Sequence, residues 1–398
     1  SFSSGLSSQA NGEASFSSGK LTVANGDFAT ALGEGSQANA KTAFASGENT
    51  SATADHATAL GLGTTASGAR SVATGSGSEA SGTSATAMGS ATEAIGNYSF
   101  AAGQNSRAQG NHATAIGFAT MAMGTASFAA GEGSAAESSH SIAMGNYAQA
   151  SNSGAIALGE YTSAAGAYAV AMGDGASAEG DSSVAIGTGA SANGELSLAT
   201  GTATQANGML SFASGYGTRA EDIFTTALGS FNTVKTNPSP NLSLPTNTLF
   251  VVGNGSSTER SNAIEILFDG TTTIAGDLNI NSDARLKANI ISLGATLSKL
   301  LQIDGKTYTM KKDANHKKKI GLLAQDIEKV FPELVTETND IKSVNYQGLV
   351  PVLINAMKEQ DEVIRNQDAI NKEQEAKLNK QQQKIDELEV MVKQLMSK

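Results

Sequence analysis

The feature that most limits what this chain can become is a seven-residue stride of glycine, running from Gly5 to Gly229 without a change of phase. Of the 33 positions on that stride 28 are Gly, and the five exceptions (Ala40, Ala54, Ser138, Asn152 and Asp222) all fall on alternate steps. The other series, Gly5, Gly19, Gly33 and onward, is Gly at all 17 positions, so the repeat is 14 residues long with two unequal halves. Ala stands two residues before the marker in 31 of the 33 cases, and in the all-Gly series the residue three before it is Phe, Val, Ile, Leu or Thr. Each half reads as small–apolar–Ala–x–Gly, a short strand with alternating faces followed by a turn. Glycine at the turn allows backbone conformations closed to other residues.

A coiled-coil reading of this heptad fails, because Gly costs about 1 kcal/mol at each helix position. A 14-residue coil with two short strands stacks instead as a parallel β-solenoid. Roughly 16 coils at about 4.8 Å each predict a rod of about 75–80 Å. Its core is thin: aromatics make up 5% of the 398 residues and Trp is absent. One Ala-lined layer does not offset the chain entropy of a lone chain. The Phe/Val/Ile position needs another chain to cover it, and a homotrimer is the simplest expectation.

Charge and residue usage exclude several function classes. Residues 1–281 carry 7 Lys and Arg against 20 Asp and Glu, whereas residues 282–398 carry 19 against 17. The acidic front part argues against phosphate-backbone contact, so no nucleic-acid partner is expected. Cys is absent, which removes disulfides, thiolate metal sites and cysteine nucleophiles. No apolar run approaches 18 residues, so no membrane insertion by a helix is expected. The chain opens at Ser1 without a charged and apolar leader, which predicts a removed targeting segment or a fragment. His56, His112 and His140 sit singly on different coils, Asp is too sparse for a calcium-binding nonapeptide roll, and neither a metal nor any other cofactor is expected.

Runs such as SVAIGTGASANGELSLATG and FATALGEGSQANAKTAFASG resemble the head repeats of trimeric autotransporter adhesins of the YadA type. The resemblance covers residues 1–235. It implies a trimeric left-handed parallel β-roll that binds extracellular surfaces. The stalk and membrane-embedded barrel of such adhesins have no counterpart here, so self-secretion is not expected.

Pro is absent up to residue 237, then Pro238, Pro240 and Pro245 fall within eight residues, marking a domain boundary. Residues 236–281 read as a Pro-rich linker and a β-prism-like connector, with Asp269–Gly270 as a hairpin-turn signal. From Ser282 the composition becomes that of an ordinary globular domain. SDARLKANI, KKIGLLAQDIEKVFPELV and SVNYQGLVPVLINAMKEQ together resemble, over residues 282–398, the self-cleaving intramolecular chaperone domain of phage tail spikes and endosialidases. That resemblance implies a Ser–Lys dyad, with Ser282 as nucleophile and Lys287 as base, cutting the Asn281–Ser282 bond once after trimerisation. The activity implied is that of a single-turnover autoproteolytic serine endopeptidase. A serine hydroxyl is a poor nucleophile until a base takes its proton. Lysine, ordinarily near pKa 10.4, serves as base only when burial or nearby cations lower that value. Trimer assembly would supply the burial and make cleavage conditional on folding.

The basic run Lys311, Lys312, His316, Lys317, Lys318 and Lys319 lies between two strand-like segments and reads as a solvated hairpin tip. Over 350–395 a heptad places Val350, Met357, Ile364, Asn371, Leu378, Ile385 and Val392 at a. Position d holds Leu353, four Gln, Leu388 and Leu395. Polar core layers fix register at a cost in stability, so a trimeric coiled coil of moderate stability is expected.

The expected architecture is mainly β: a trimeric left-handed parallel β-roll solenoid, a β-rich connector, and an α+β chaperone domain ending in a trimeric coiled coil. The expected function is an extracellular fibre, on a virion or injection-system tail, that attaches to a glycan or protein receptor on a host or target cell. The alternative is a bacterial surface adhesin or structural spacer whose C-terminal trimerisation domain is retained uncut. An enzyme acting on outside substrates ranks behind both, because 1–281 shows no convergent acid/base or metal cluster.

Overall fold

A computed structural model describes residues 1–311 and 316–397. The chain divides into two compact units, Ser1–Asn279 and Ile280–Lys398, each described by itself.

The first unit is mainly β and forms a solenoid of about 16 turns. The coil from Phe44 to Ala57 shows the pattern. A five-residue strand, Phe44–Glu48, is followed by Asn49 at φ +52, a two-residue strand Ser51–Ala52, and His56 at φ +63. Both strands pair in parallel with the next coil at a shift of 14 residues: Phe44 with Thr58, Ala45 with Ala59, Ser51 with Thr65. Ala45, Thr50, Ala52 and Ala57 point inward and are buried. Stacked Ala from every coil, Ala24 through Ala227, forms one continuous core that ends on Val251. A core of methyl groups brings the two sheets close together, and the ladders of backbone hydrogen bonds supply the rest of the order.

In one of its two series glycine acts differently from the turn role expected of it, while in the other it opens the turn, as Gly68 does by accepting from the Ser71 N–H at 3.1 Å. In the all-Gly series the glycine is the fourth residue of the long strand, save at Gly5 and Gly187, which follow three-residue strands. Gly47 has φ +136, and a Cβ there would stand 1.9 Å from the carbonyl oxygen of Gly61 on the next coil. The turns use left-handed residues two positions after the marker in both series, and these are often large: Tyr147 and Tyr161 after the all-Gly series, Tyr98, His112 and Phe224 after the other, all with φ between +51 and +61. In the alternate series the Gly N–H makes a second bond to the Ala carbonyl of the next coil, as from Gly68 to Ala80 at 3.2 Å. At Ala40, Ala54, Ser138, Asn152 and Asp222 that second bond is absent among the described residues. The five interruptions of the stride are thus the coils that give up this close approach.

After Thr226–Ser230 the chain leaves the repeat through the proline cluster and returns as Thr248–Asn254, which pairs in parallel with that strand, Gly229 against Gly253. Asn262–Leu267 then adds antiparallel to it and Thr272–Ile274 antiparallel in turn, around a turn at Asp269–Gly270. Antiparallel strands close a ladder that parallel coils alone would leave open. Asp222 fastens the excursion. Only 2% exposed, it accepts from the N–H groups of Ser239 (2.6 Å) and Thr248 (3.0 Å) and pairs with Lys235 at 2.9 Å.

The second unit has a small core of Ile327, Phe331 and Val352, flanked by Leu300, Ile303, Leu322, Val330, Leu334, Val335 and Val344. Around it stand the hairpin Lys306–Tyr308 with Lys319–Gly321, helix Ala324–Val330 and the hairpin Val335–Thr338 with Ile341–Val344. The 48-residue helix Leu349–Met396 follows. The strands flanking the basic run pair as a hairpin, while Lys312, Asp313, Ala314 and Asn315 lie outside the described residues. No helix is long and apolar enough to cross a membrane among the described residues.

Candidate functional site

The segment after Asn281 is built around one acid. Asp283 caps the 3-10 turn Ala284–Leu286, its carboxylate accepting from the Arg285 N–H at 2.9 Å. The Arg285 guanidinium grips the same carboxylate, with Nη2 to Oδ2 at 2.6 Å, and together these bonds hold Asp283 below its ordinary pKa. The backbone turns tightly, Leu286 N–H to the Asp283 carbonyl and Lys287 N–H to the Ala284 carbonyl. This turn carries residue 287 back beside residue 282. Lys287 Nζ donates to Ser282 Oγ at 2.7 Å. A spacing of five residues, ambiguous in sequence, becomes a hydrogen-bonded pair because the capped turn folds it so.

Asn281, Ser282 and Lys287 are exposed, as are Ile280, Leu286, Ile290, Ile291 and Leu293 around them. The segment that carries the pair thus leaves its large apolar side chains exposed in the single chain. On the long helix the a and d residues Val350, Met357, Ile364, Leu378, Ile385, Leu388 and Val392 are likewise exposed.

Sequence reasoning missed Glu359. It sits at a heptad position with no seam role, yet its carboxylate accepts from Thr296 N–H (2.6 Å), Thr296 Oγ1 (3.0 Å) and Leu297 N–H (3.1 Å). It thereby caps the short helix Leu297–Leu300, and the backbone donors hold its pKa down. No local signal joins residues 63 apart in the chain. Among the described residues no three His, Cys, Asp or Glu converge as a metal site. His112 instead stacks on Tyr98, and His56 Nδ1 meets Thr42 Oγ1.

Comparison with known proteins agrees with both halves of this description. The YadA head domain repeat matches nine windows, from 24–50 to 206–232. The chaperone of endosialidase matches residues 282–336, which begin at Ser282 and include Lys287. Long tail fiber protein Gp37 of Salmonella phage S16 is 36% identical over 83 residues, covering 18% of this chain and 11% of the relative. Its namesake from Enterobacteria phage M1 is 32% identical over 115 residues, covering 25% of this chain and 46% of the relative. That from Enterobacteria phage Ox2 gives the same figures. The matched part therefore spans from about a tenth to under half of these relatives. The chain carries YadA head domain repeats followed by a chaperone-of-endosialidase domain, and part of it is similar to phage long tail fibre proteins.

Proposed function

We propose that this protein is a trimeric extracellular fibre of a phage or injection-system tail that attaches to a host surface. In this reading its C-terminal domain aligns three chains and then cuts itself off at Asn281–Ser282. The observation that carries the cleavage is the 2.7 Å bond from Lys287 Nζ to Ser282 Oγ, inside the segment matched by the chaperone of endosialidase. The reaction needs a neutral lysine. Partner chains covering Ile280, Leu286, Ile290 and Ile291 would dry the site and favour the uncharged amine. Lys287 then takes the Ser282 hydroxyl proton as Oγ attacks the Asn281 carbonyl carbon. The Asn281–Ser282 C–N bond breaks and the proton passes to the departing α-amine. Water hydrolyses the ester, leaving an Asn281 carboxylate and a new Ser282 N-terminus.

The domain order 1–235, 236–281 and 282–398 suits this use. Parallel coils must find register between chains, a slow and aggregation-exposed search. A C-terminal trimeriser shortens it, and its loss leaves the mature shaft kinetically trapped. The apolar residues of the long strands, such as Phe44, Val72, Phe100 and Ile142, remain half-buried in one chain, which supports burial against partners. The nine head-repeat matches favour a second reading, a bacterial surface adhesin with a retained C-terminal cap.

Intact mass of freshly expressed protein separates the two readings. Fragments divided between Asn281 and Ser282 in the parent, and absent in Ser282→Ala and Lys287→Ala, are the expected result. An uncut parent chain that is a stable trimer would exclude the peptidase role and leave the cap.

A further inference from the structure

On one ridge of the solenoid, formed by the left-handed residue after each long strand, side chains lean back over the preceding coil. The Tyr147 ring comes within 2.7 Å of where a Cβ on Gly133 would stand, Phe231 within 2.4 Å for Gly217, and Asn49 within 2.4 Å for Gly35. Tyr161 follows the same rule and stacks on Tyr147, with ring centroids 5.6 Å apart and planes 2° from parallel. Both rings are more than half exposed, at 52% and 59%. The next two ridge residues are Gly175 and Gly189, and a Cβ on either would meet nothing within 4 Å. Residue 175 therefore lays nothing on Tyr161, and residue 189 lays nothing into the space above Gly175. The stack ends in an open slot two coils deep, floored by the bare face of Tyr161.

The charge around this slot narrows its occupant. No Lys or Arg occurs between Arg107 and Arg219, a span holding seven Asp and Glu. Two of these, Glu160 and Asp174, are exposed partners on adjacent strands and immediately precede Tyr161 and Gly175. Such a field opposes phosphate, sialate and other anions. The ring face is flat and electron-rich, matching the slightly positive C–H face of a pyranose, while carboxylates accept hydroxyl protons.

We infer that the slot above Tyr161 binds one pyranose ring of an uncharged glycan. Its C–H face lies on Tyr161 and its hydroxyls donate to Glu160 and Asp174. The inference rests on the surface-attachment reading above and names the ligand class for it.

Saturation-transfer NMR on the full chain, with cellohexaose, maltohexaose and mannohexaose as probes and sialyllactose as the anionic comparison, tests it. The blocking variant is Gly175→Tyr. Gly175 has φ +61 and bonds to the Glu160 carbonyl at 2.8 Å, as Tyr161 does to Asn146 at 2.8 Å, so a tyrosine fits the backbone there. The expected result is transfer to the C–H protons of at least one uncharged probe and none to sialyllactose. Binding should weaken at least tenfold in Tyr161→Ala and in Gly175→Tyr, and stay unchanged in Tyr98→Ala. Absence of transfer from every uncharged probe, or undiminished binding by Gly175→Tyr, overturns the slot. Attachment of the parent chain to Escherichia and Salmonella cells is measured in parallel. Retained attachment without sugar binding removes the slot alone, and failure to attach removes the reading beneath it.

Discussion

Replacing Gly117 by Ala tests directly why the stride is glycine. Gly117 has φ +132, and a Cβ there would stand 2.0 Å from the Gly131 carbonyl oxygen and 2.9 Å from its carbonyl carbon. Two costs add. Holding Ala in that backbone region costs about 1–3 kcal/mol, and prising the coils apart to admit a methyl costs about 1–3 kcal/mol more. The sum is about 2–6 kcal/mol, with the ladder between Thr114–Phe118 and Phe128–Glu132 bearing the damage. Gly77→Ala is the control. It too has positive φ, +63, but a Cβ there meets nothing within 4 Å. Its left-handed cost of about 1 kcal/mol is offset by about 0.4–1 kcal/mol from a less flexible unfolded chain. Because a solenoid's stability is nearly local, hydrogen exchange followed by mass spectrometry is the right assay. Gly117→Ala should speed exchange across residues 114–132 by at least about 30-fold, the lower bound converted at 1.36 kcal/mol per decade, and Gly77→Ala should change little. Exchange within about threefold of the parent in Gly117→Ala would refute the argument that close backbone approach selects glycine.

Three further outcomes are expected. Asp222→Ala removes the acceptor for two backbone N–H groups and the partner of Lys235. It should cost about 3–5 kcal/mol, seen as rapid exchange over residues 236–254. Among the described residues Thr204 Oγ1 is buried without a partner whereas Thr92 Oγ1 donates to Ser78 Oγ at 2.9 Å, so Thr204→Val should stabilise and Thr92→Val destabilise, each by about 1 kcal/mol in chemical unfolding. Glu359 has its folded pKa held below 4.5, so its contribution is full above that value and disappears as pH falls through the lowered pKa. The thermal midpoint of the second unit should drop with acidification below pH 4.5, and Glu359→Gln should flatten that drop.

The period, the inward Ala and the i to i+14 pairing were legible because a solenoid has translational symmetry: what holds at Ala45 holds at Ala59. The role of the all-Gly series was misjudged for the same reason. The sequence marks where Gly recurs but not whether the recurrence answers a turn or a neighbour's carbonyl, and Gly47 proves to face the latter. The stride's exceptions were visible as letters, yet their meaning, a lost second hydrogen bond at Ala40 or Asn152, exists only between coils. Ser282 and Lys287 were legible through their resemblance to a known segment, while the turn that joins them depends on the Asp283 cap.

The sequence by itself determined the repeating part, because each residue's neighbours there are fixed by counting fourteen along the chain. Tertiary structure alone decided whatever breaks that count. Asp222 reaches Ser239 and Thr248, and Glu359 caps a helix 63 residues upstream. Those contacts join residues at separations no local rule specifies, so they form only when the folded backbone brings the partners within hydrogen-bonding or van der Waals reach.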